Sequence, residues 1–122
     1  MFDMDGVLLN SIPSHIFAWQ SALQENGIRI EPDFIYLNEG RTGRDTISVI
    51  ERESGRRLDW ESIYRRKSEI FDTLDGKRPM PGAREVLLQL KELGVKSIVV
   101  TGSGHKLVKQ VIEERFSGLL DN

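Results

Sequence analysis

The chain has 122 residues, 30% of them charged and 39% hydrophobic, with a formal net charge of -2 and a pI near 5.7. That length holds one domain with its own core or parts of two small ones, and the balanced charge offers no concentrated basic surface for nucleic acid. Cysteine is absent, which excludes disulfides and thiolate metal sites and suits a reducing, cytoplasmic setting, while the apolar runs fall far short of a membrane span and no signal-like segment is visible.

The chain opens MFDMDGVLLNS. Met1–Met4 reads as a short strand that ends in a turn at Asp5-Gly6. A helix is expected from about Ser11-Ile12-Pro13-Ser14, because proline is tolerated in a first turn where its missing N–H costs nothing. Ile12, Ile16, Trp19 and Leu23 then recur at helical spacing until Asn26-Gly27 stops the pattern. Glu31-Pro32 starts a short element that runs through Leu37, and Asn38-Glu39-Gly40 breaks it. Thr42-Gly43-Arg44-Asp45 has the form of a capping box, with Thr42 on the Asp45 N–H and the Asp45 carboxylate reaching back. The helix it opens should reach Glu53, turn Ile47 and Ile50 inward, and end at Ser54-Gly55.

Leu58 to Leu74 is the longest helical candidate, with Trp60, Ile63, Tyr64, Ile70, Phe71 and Leu74 as its buried stripe. Arg65, Arg66 and Lys67 are interleaved with Glu61, Glu69 and Asp72, the pattern of a solvated helix face. Asp75 to Gly82 holds two prolines and two glycines in eight residues and reads as a linker. A helix from Ala83 to Leu93 should place Val86, Leu87 and Leu90 on one side, with Gly94 as its left-handed stop. Val95 to Thr101 is an apolar run without alternation, as in a parallel strand covered on both faces. After Gly102-Ser103-Gly104 a last helix should extend to about Phe116, carrying Leu107, Val108, Val111 and Ile112.

Two short strands therefore flank a helical stretch. The expected fold class is α/β, a partial Rossmann-like core built from residues 1–11 and 79–122, with a helical cap at 12–78 inserted after the first strand. Ligands of such sheets bind beyond the C-terminal ends of the strands. Asp3-Asp5 and Thr101-Gly102-Ser103 both fall at strand ends, so they are expected to meet.

A carboxylate can attack phosphorus to form an aspartyl-phosphate. A second carboxylate two residues on can protonate the leaving oxygen and later deprotonate the incoming one. Magnesium takes carboxylate, phosphate and water oxygens, and a hydroxyl with free amides at a neighbouring strand end can hold phosphoryl oxygens, the role assigned to Thr101 and Gly102. Gly102 and Gly104 lack the third glycine of a dinucleotide fingerprint.

Phe2-Asp3-Met4-Asp5-Gly6-Val7-Leu8 resembles the first motif of the haloacid dehalogenase superfamily, and Val99-Val100-Thr101-Gly102-Ser103 its second. Pro81-Gly82-Ala83 with Leu87, Leu90 and Gly94 is similar to the lead-in to that second motif in the β-phosphoglucomutase-like branch, whose members carry a helical cap. The resemblance implies Asp3 as nucleophile, Asp5 as acid/base and Thr101 as phosphate ligand. It also implies Mg2+ on the Asp3 side chain and the Asp5 backbone carbonyl. His15 matches a cap-hinge histidine, although it shares a face with Ile12 and Trp19 as a packed histidine would. Gly40-Arg41-Thr42 matches the cap specificity loop, yet Arg41 and Arg44 also read as solvent charges beside a helix cap. Glu39 is a further candidate that could reach the metal over a small substrate. Asn10 stands where many members carry an acidic residue.

The family pattern also requires a later lysine and a later acidic pair, neither recognisable here; the spacing of Lys106 and Lys109 favours neither as a substitute. The expectation is thus the N-terminal part of a larger, monomeric enzyme, inactive as these 122 residues alone. That enzyme is a magnesium-dependent phosphotransferase acting on a small phosphorylated metabolite, with no nucleic-acid or membrane partner. Hydrolysis of a sugar phosphate, another phosphomonoester or pyrophosphate is the leading reading. A phosphomutase is one alternative, and an incompetent member kept as an interaction module is the other.

Overall fold

The structure, a computed structural model, describes residues 1–75 and 77–121, with every side chain among them except that of Lys106. Expectations that touch Gly76, Asn122 or the Lys106 side chain lie outside the described residues. The chain divides into two compact units, one formed by Met1–Ser11 with Gly76–Asn122 and the other by Ile12–Asp75.

The second unit is helical. It holds α1 (Ile12–Gln24), α2 (Pro32–Leu37), α3 (Gly43–Ser54) and α4 (Trp60–Thr73). Pro13 lies in the first turn of α1, and Pro32 opens α2, positions where proline's missing donor would have had no helical partner. Thr42 caps α3: its Oγ1 accepts from the Asp45 N–H at 3.2 Å and donates to the Asp45 carboxylate at 2.7 Å. The acid thus returns to the cap hydroxyl. Gly55 ends α3 in a left-handed conformation, φ 67°, which a residue with a Cβ adopts at a cost. Asp59 caps α4 by accepting from the Ser62 N–H.

Ile16, Trp19, Ala22 and Leu23 of α1 close over Ile35, Ile47, Ile50 and Ile63 to form one core. Two expectations for α4 need correction. Tyr64, placed in the buried stripe, is 37% exposed, and Lys67, placed on the solvated face, is 6% exposed. Residues 63, 67 and 71 share one side of a helix at four-residue spacing, so Lys67 lies between the buried Ile63 and Phe71.

The first unit contains β1 (Leu9–Asn10), β2 (Arg78–Pro79), α5 (Ala83–Glu92) and α6 (His105–Arg115). β1 and β2 pair antiparallel with Leu9 opposite Pro79 and Asn10 opposite Arg78. The strands expected at Met1–Met4 and Val95–Thr101 are reduced to a single parallel bridge, Phe2 with Val99. Two hydrogen bonds form it, Phe2 N–H to Ile98 O at 2.9 Å and Val100 N–H to Phe2 O at 2.8 Å. Coverage of the second segment on both faces is also not found, since Val95, Ile98 and Val100 are exposed. A continuous apolar run records an affinity for cover, and only tertiary packing decides which residues receive it.

Met4, Leu8 and Leu9 pack with Leu87, Val111 and Phe116 into this unit's core. On α5 only Leu87 of the expected apolar side is buried, while Val86 is exposed. Gly94, at φ 70°, follows the helix as the left-handed stop expected of it.

Candidate active site

The segment from Asp3 to Ser11 is held as a tight loop. The Met4 carbonyl accepts from the Leu8 N–H at 3.0 Å and the Leu9 N–H at 2.8 Å, while the Gly6 N–H donates to Leu9 O at 2.8 Å. Gly6 has φ 77°, so the reversal after the second aspartate uses glycine's left-handed freedom. Met4, Leu8 and Leu9 are buried beneath the loop, whereas Asp3 is exposed and Asp5 half-buried. The three apolar anchors fix a backbone from which both carboxylates emerge.

Each carboxylate has a local partner. The Met4 N–H donates to Asp3 Oδ1 at 2.7 Å. Asp5 accepts two hydroxyls: Ser11 Oγ donates to its Oδ1 at 2.5 Å and Ser103 Oγ to its Oδ2 at 2.6 Å. The expected meeting of the two strand ends therefore occurs through Ser103, a residue for which the sequence reading named no role. Ser11, also unassigned, is fully buried, and its place at the start of a helix disguised it as an ordinary N-terminal residue. Thr101 belongs to the same turn: its Oγ1 accepts from the Ser103 N–H at 3.1 Å, which leaves its own O–H available as a donor. Gly102 lies exposed between them.

In the helical unit, His15 is buried and its ring stacks on Phe71, with centroids 4.2 Å apart and planes at 17°. Lys67 Nζ lies 2.8 Å from His15 Nδ1. An ammonium only donates, so in this contact Nδ1 is the acceptor. Around Nζ stand the rings of Phe71 at 5.0 Å, Trp19 at 5.6 Å and Tyr64 at 5.9 Å, whose faces compensate a desolvated cation. Lys67 is the functional candidate that sequence reasoning missed; its four-residue spacing from Ile63 and Phe71 was the available signal.

Glu39, Arg41, Thr42 and Arg44 are all exposed. The Thr42 hydroxyl is committed to the helix cap, and the Arg44 guanidinium lies over the Trp60 ring at 5.8 Å from its centroid. No three His, Asp or Glu side chains converge as a metal site among the described residues. No helix there is long and apolar enough to cross a membrane.

An α/β unit with a D-x-D loop tied to a hydroxyl-bearing turn, and a helical unit in the chain between them, has the organisation of the haloacid dehalogenase-like hydrolases. The profile of that family matches residues 1–116, and the chain belongs to it. Among curated proteins it is 33% identical over 84 residues to the fructose-1-phosphate phosphatase YqaB of Escherichia coli K12, a match covering 66% of this chain and 44% of that one. It is 25% identical over 126 residues to the phosphoglycolate phosphatase of Neisseria gonorrhoeae, covering 93% of this chain and 51% of the relative. Among solved structures, a β-phosphoglucomutase candidate of Bacteroides vulgatus superposes with a TM-score of 0.86 at 37% identity, over 98% of this chain and 50% of that one. The chain thus spans about half the length of the curated relatives it matches.

Proposed function

We propose that this chain supplies the nucleophile, acid/base and phosphate-binding turn of a phosphatase that acts on a small phosphorylated metabolite. The carrying observation is the 2.6 Å bond from Ser103 Oγ to Asp5 Oδ2, which unites the D-x-D loop with the Thr101–Ser103 turn. Two curated relatives support the substrate class, since one is named for fructose 1-phosphate and the other for phosphoglycolate.

In this reading the Asp3 carboxylate attacks phosphorus, an Asp3 O–P bond forms, and the ester P–O bond breaks. Asp5 gives its proton to the departing alkoxide. It then takes a proton from the water that attacks the aspartyl-phosphate, releasing inorganic phosphate and restoring Asp3. The Thr101 hydroxyl, free to donate, and the Gly102 amide hold phosphoryl oxygens. Two carboxylates two residues apart are hard oxygen donors of the kind magnesium takes, so the residues present fit that ion. Bound through the Asp3 side chain and the Asp5 carbonyl, it would supply charge neutralisation at the phosphoryl group.

The unit Ile12–Asp75 is assigned as the cap. His15, hydrogen-bonded through Nδ1 to Lys67, is assigned to the cap hinge, and Arg41 and Glu39 are loop charges assigned to substrate. A phosphomutase is the second reading, favoured by the 37% identity to the Bacteroides vulgatus protein.

The test joins this chain to the remaining half of one relative's fold. It measures phosphate release from fructose 1-phosphate, phosphoglycolate and glucose 1-phosphate with magnesium present. Asp3→Asn should abolish turnover and Asp5→Asn should lower it by roughly 10²–10⁴-fold. Phosphate release unchanged in Asp3→Asn would overturn the covalent route. Isomerised sugar phosphate without phosphate release would select the mutase.

A further inference from the structure

Gly43 is the first residue of α3, and its φ is not among the left-handed glycines. Its backbone is therefore one an alanine could adopt, and alanine is the better helix former by about 1 kcal/mol. A Cβ at this position, however, would overlap Cδ2 and Cε2 of the Tyr64 ring and lie 3.0 Å from its Cγ. Glycine is needed here for close approach rather than for backbone freedom. Lys67 lies near the same ring: its Nζ is 5.9 Å from the Tyr64 centroid and 2.8 Å from His15 Nδ1. The Tyr64 ring also tilts against Trp19 with centroids 6.1 Å apart. A ring that is 37% exposed thus packs against Gly43, which follows the 39–42 loop, and stands beside the buried ammonium.

We infer that Tyr64 is a positioning residue: wedged between the Gly43 backbone and the Lys67 ammonium, it makes the Glu39–Thr42 loop and the His15–Lys67 pair one rigid recognition surface. Its use for substrate rests on the function proposed above, while the mechanical coupling does not. Removing the ring, or pushing it aside with a Cβ at residue 43, admits water to Lys67 and frees the start of α3 together. Either change should therefore act on both places at once.

The test uses the whole chain and two chemical readouts that need no turnover. Acylation by a water-soluble succinimidyl ester reports access to Lys67, with exposed Lys109 as internal reference, and trypsin cleavage after Arg41 reports the loop. In the unaltered chain Lys67 should react at least about tenfold more slowly than Lys109, because reaction requires local opening. Tyr64→Leu and Gly43→Ala should raise both rates together by about tenfold, and Tyr64→Phe, which keeps the ring, should leave both unchanged. If Gly43→Ala loses its helical circular dichroism, Tyr64→Leu carries the test, since Ile63 and Phe71 keep the core side of α4. A rise in one rate without the other, or in neither while the fold persists, overturns the coupling. Coupled rates, with no phosphate released once the chain is joined to the remaining half of a relative's fold, would instead sink only the functional reading.

Discussion

Leu8→Ala tests how the D-x-D loop is held. Leu8 is 2% exposed in the core formed with Met4, Leu9, Leu87, Val111 and Phe116, while its neighbour Val7 is 48% exposed. Truncating leucine to alanine removes three carbons, worth about 2.4 kcal/mol at roughly 0.8 kcal/mol each. The unfilled volume adds about 1–2 kcal/mol, because a packed core relaxes only partly around a void. The expected loss is about 3.4–4.4 kcal/mol, a large fraction of what a small unit possesses. Leu8 also accepts the Met80 N–H at 2.8 Å and donates to Met4 O, so the same loss loosens the backbone carrying Asp3 and Asp5. Val7→Ala, in contrast, should cost under about 1 kcal/mol. Urea unfolding followed by circular dichroism measures both. A Leu8→Ala cost below about 1 kcal/mol, or an equal cost for Val7→Ala, would refute the claim that buried apolar anchors hold the loop.

Further outcomes follow from the helical unit. Thr42→Ala removes the acceptor for the Asp45 N–H and should destabilise α3 by about 1 kcal/mol in the same unfolding assay. Arg56 donates to Gly27 O and Asn26 O, each at 3.1 Å, where α1 ends; Arg56→Met should cost on the order of 1 kcal/mol, the price of two exposed hydrogen bonds. Glu25 has its pKa lowered by the hydrogen bond from Arg66 and by that residue's charge. Its contribution is therefore present above the ordinary carboxylate range and lost as pH falls through the depressed folded value. The stability gap between the unaltered chain and Glu25→Gln should accordingly be small at neutral pH, shrink in 1 M salt and vanish in acid, because both side chains are about half exposed. A gap that widens in acid would reverse the assignment.

Local chemistry was legible and long-range partnership was not. Thr42 and Asp45 stand three residues apart, so their exchange of hydrogen bonds could be read from spacing alone, as could the stop at Gly55. The D-x-D loop and the hydroxyl-bearing turn were both visible as segments, and the α/β class followed from their separation by a helical stretch. Lys67 was misread because its neighbours Arg65, Arg66 and Glu69 are exposed, and the local pattern averages over them. What buries it is His15, 52 residues away, which no window around Lys67 contains. Ser11 and Ser103 were missed for the same reason: a serine at a helix start or in a glycine-rich turn has an ordinary local explanation, and only the fold brings both to Asp5. Gly43 had no role of its own in the capping-box spacing, and the Tyr64 ring supplies its reason.

The proposed chemistry turns on one bond, that between Asp3 and phosphorus. Acid quenching of the chain joined to the other half of a relative's fold, during turnover of a phosphorylated substrate with magnesium, followed by peptide mass spectrometry, looks for that bond directly. The predicted result is an acid-stable, hydroxylamine-sensitive phosphate on the Met1–Arg29 tryptic peptide, absent from Asp3→Asn. Phosphate release at an undiminished rate in Asp3→Asn, with no labelled peptide in any variant, would contradict it.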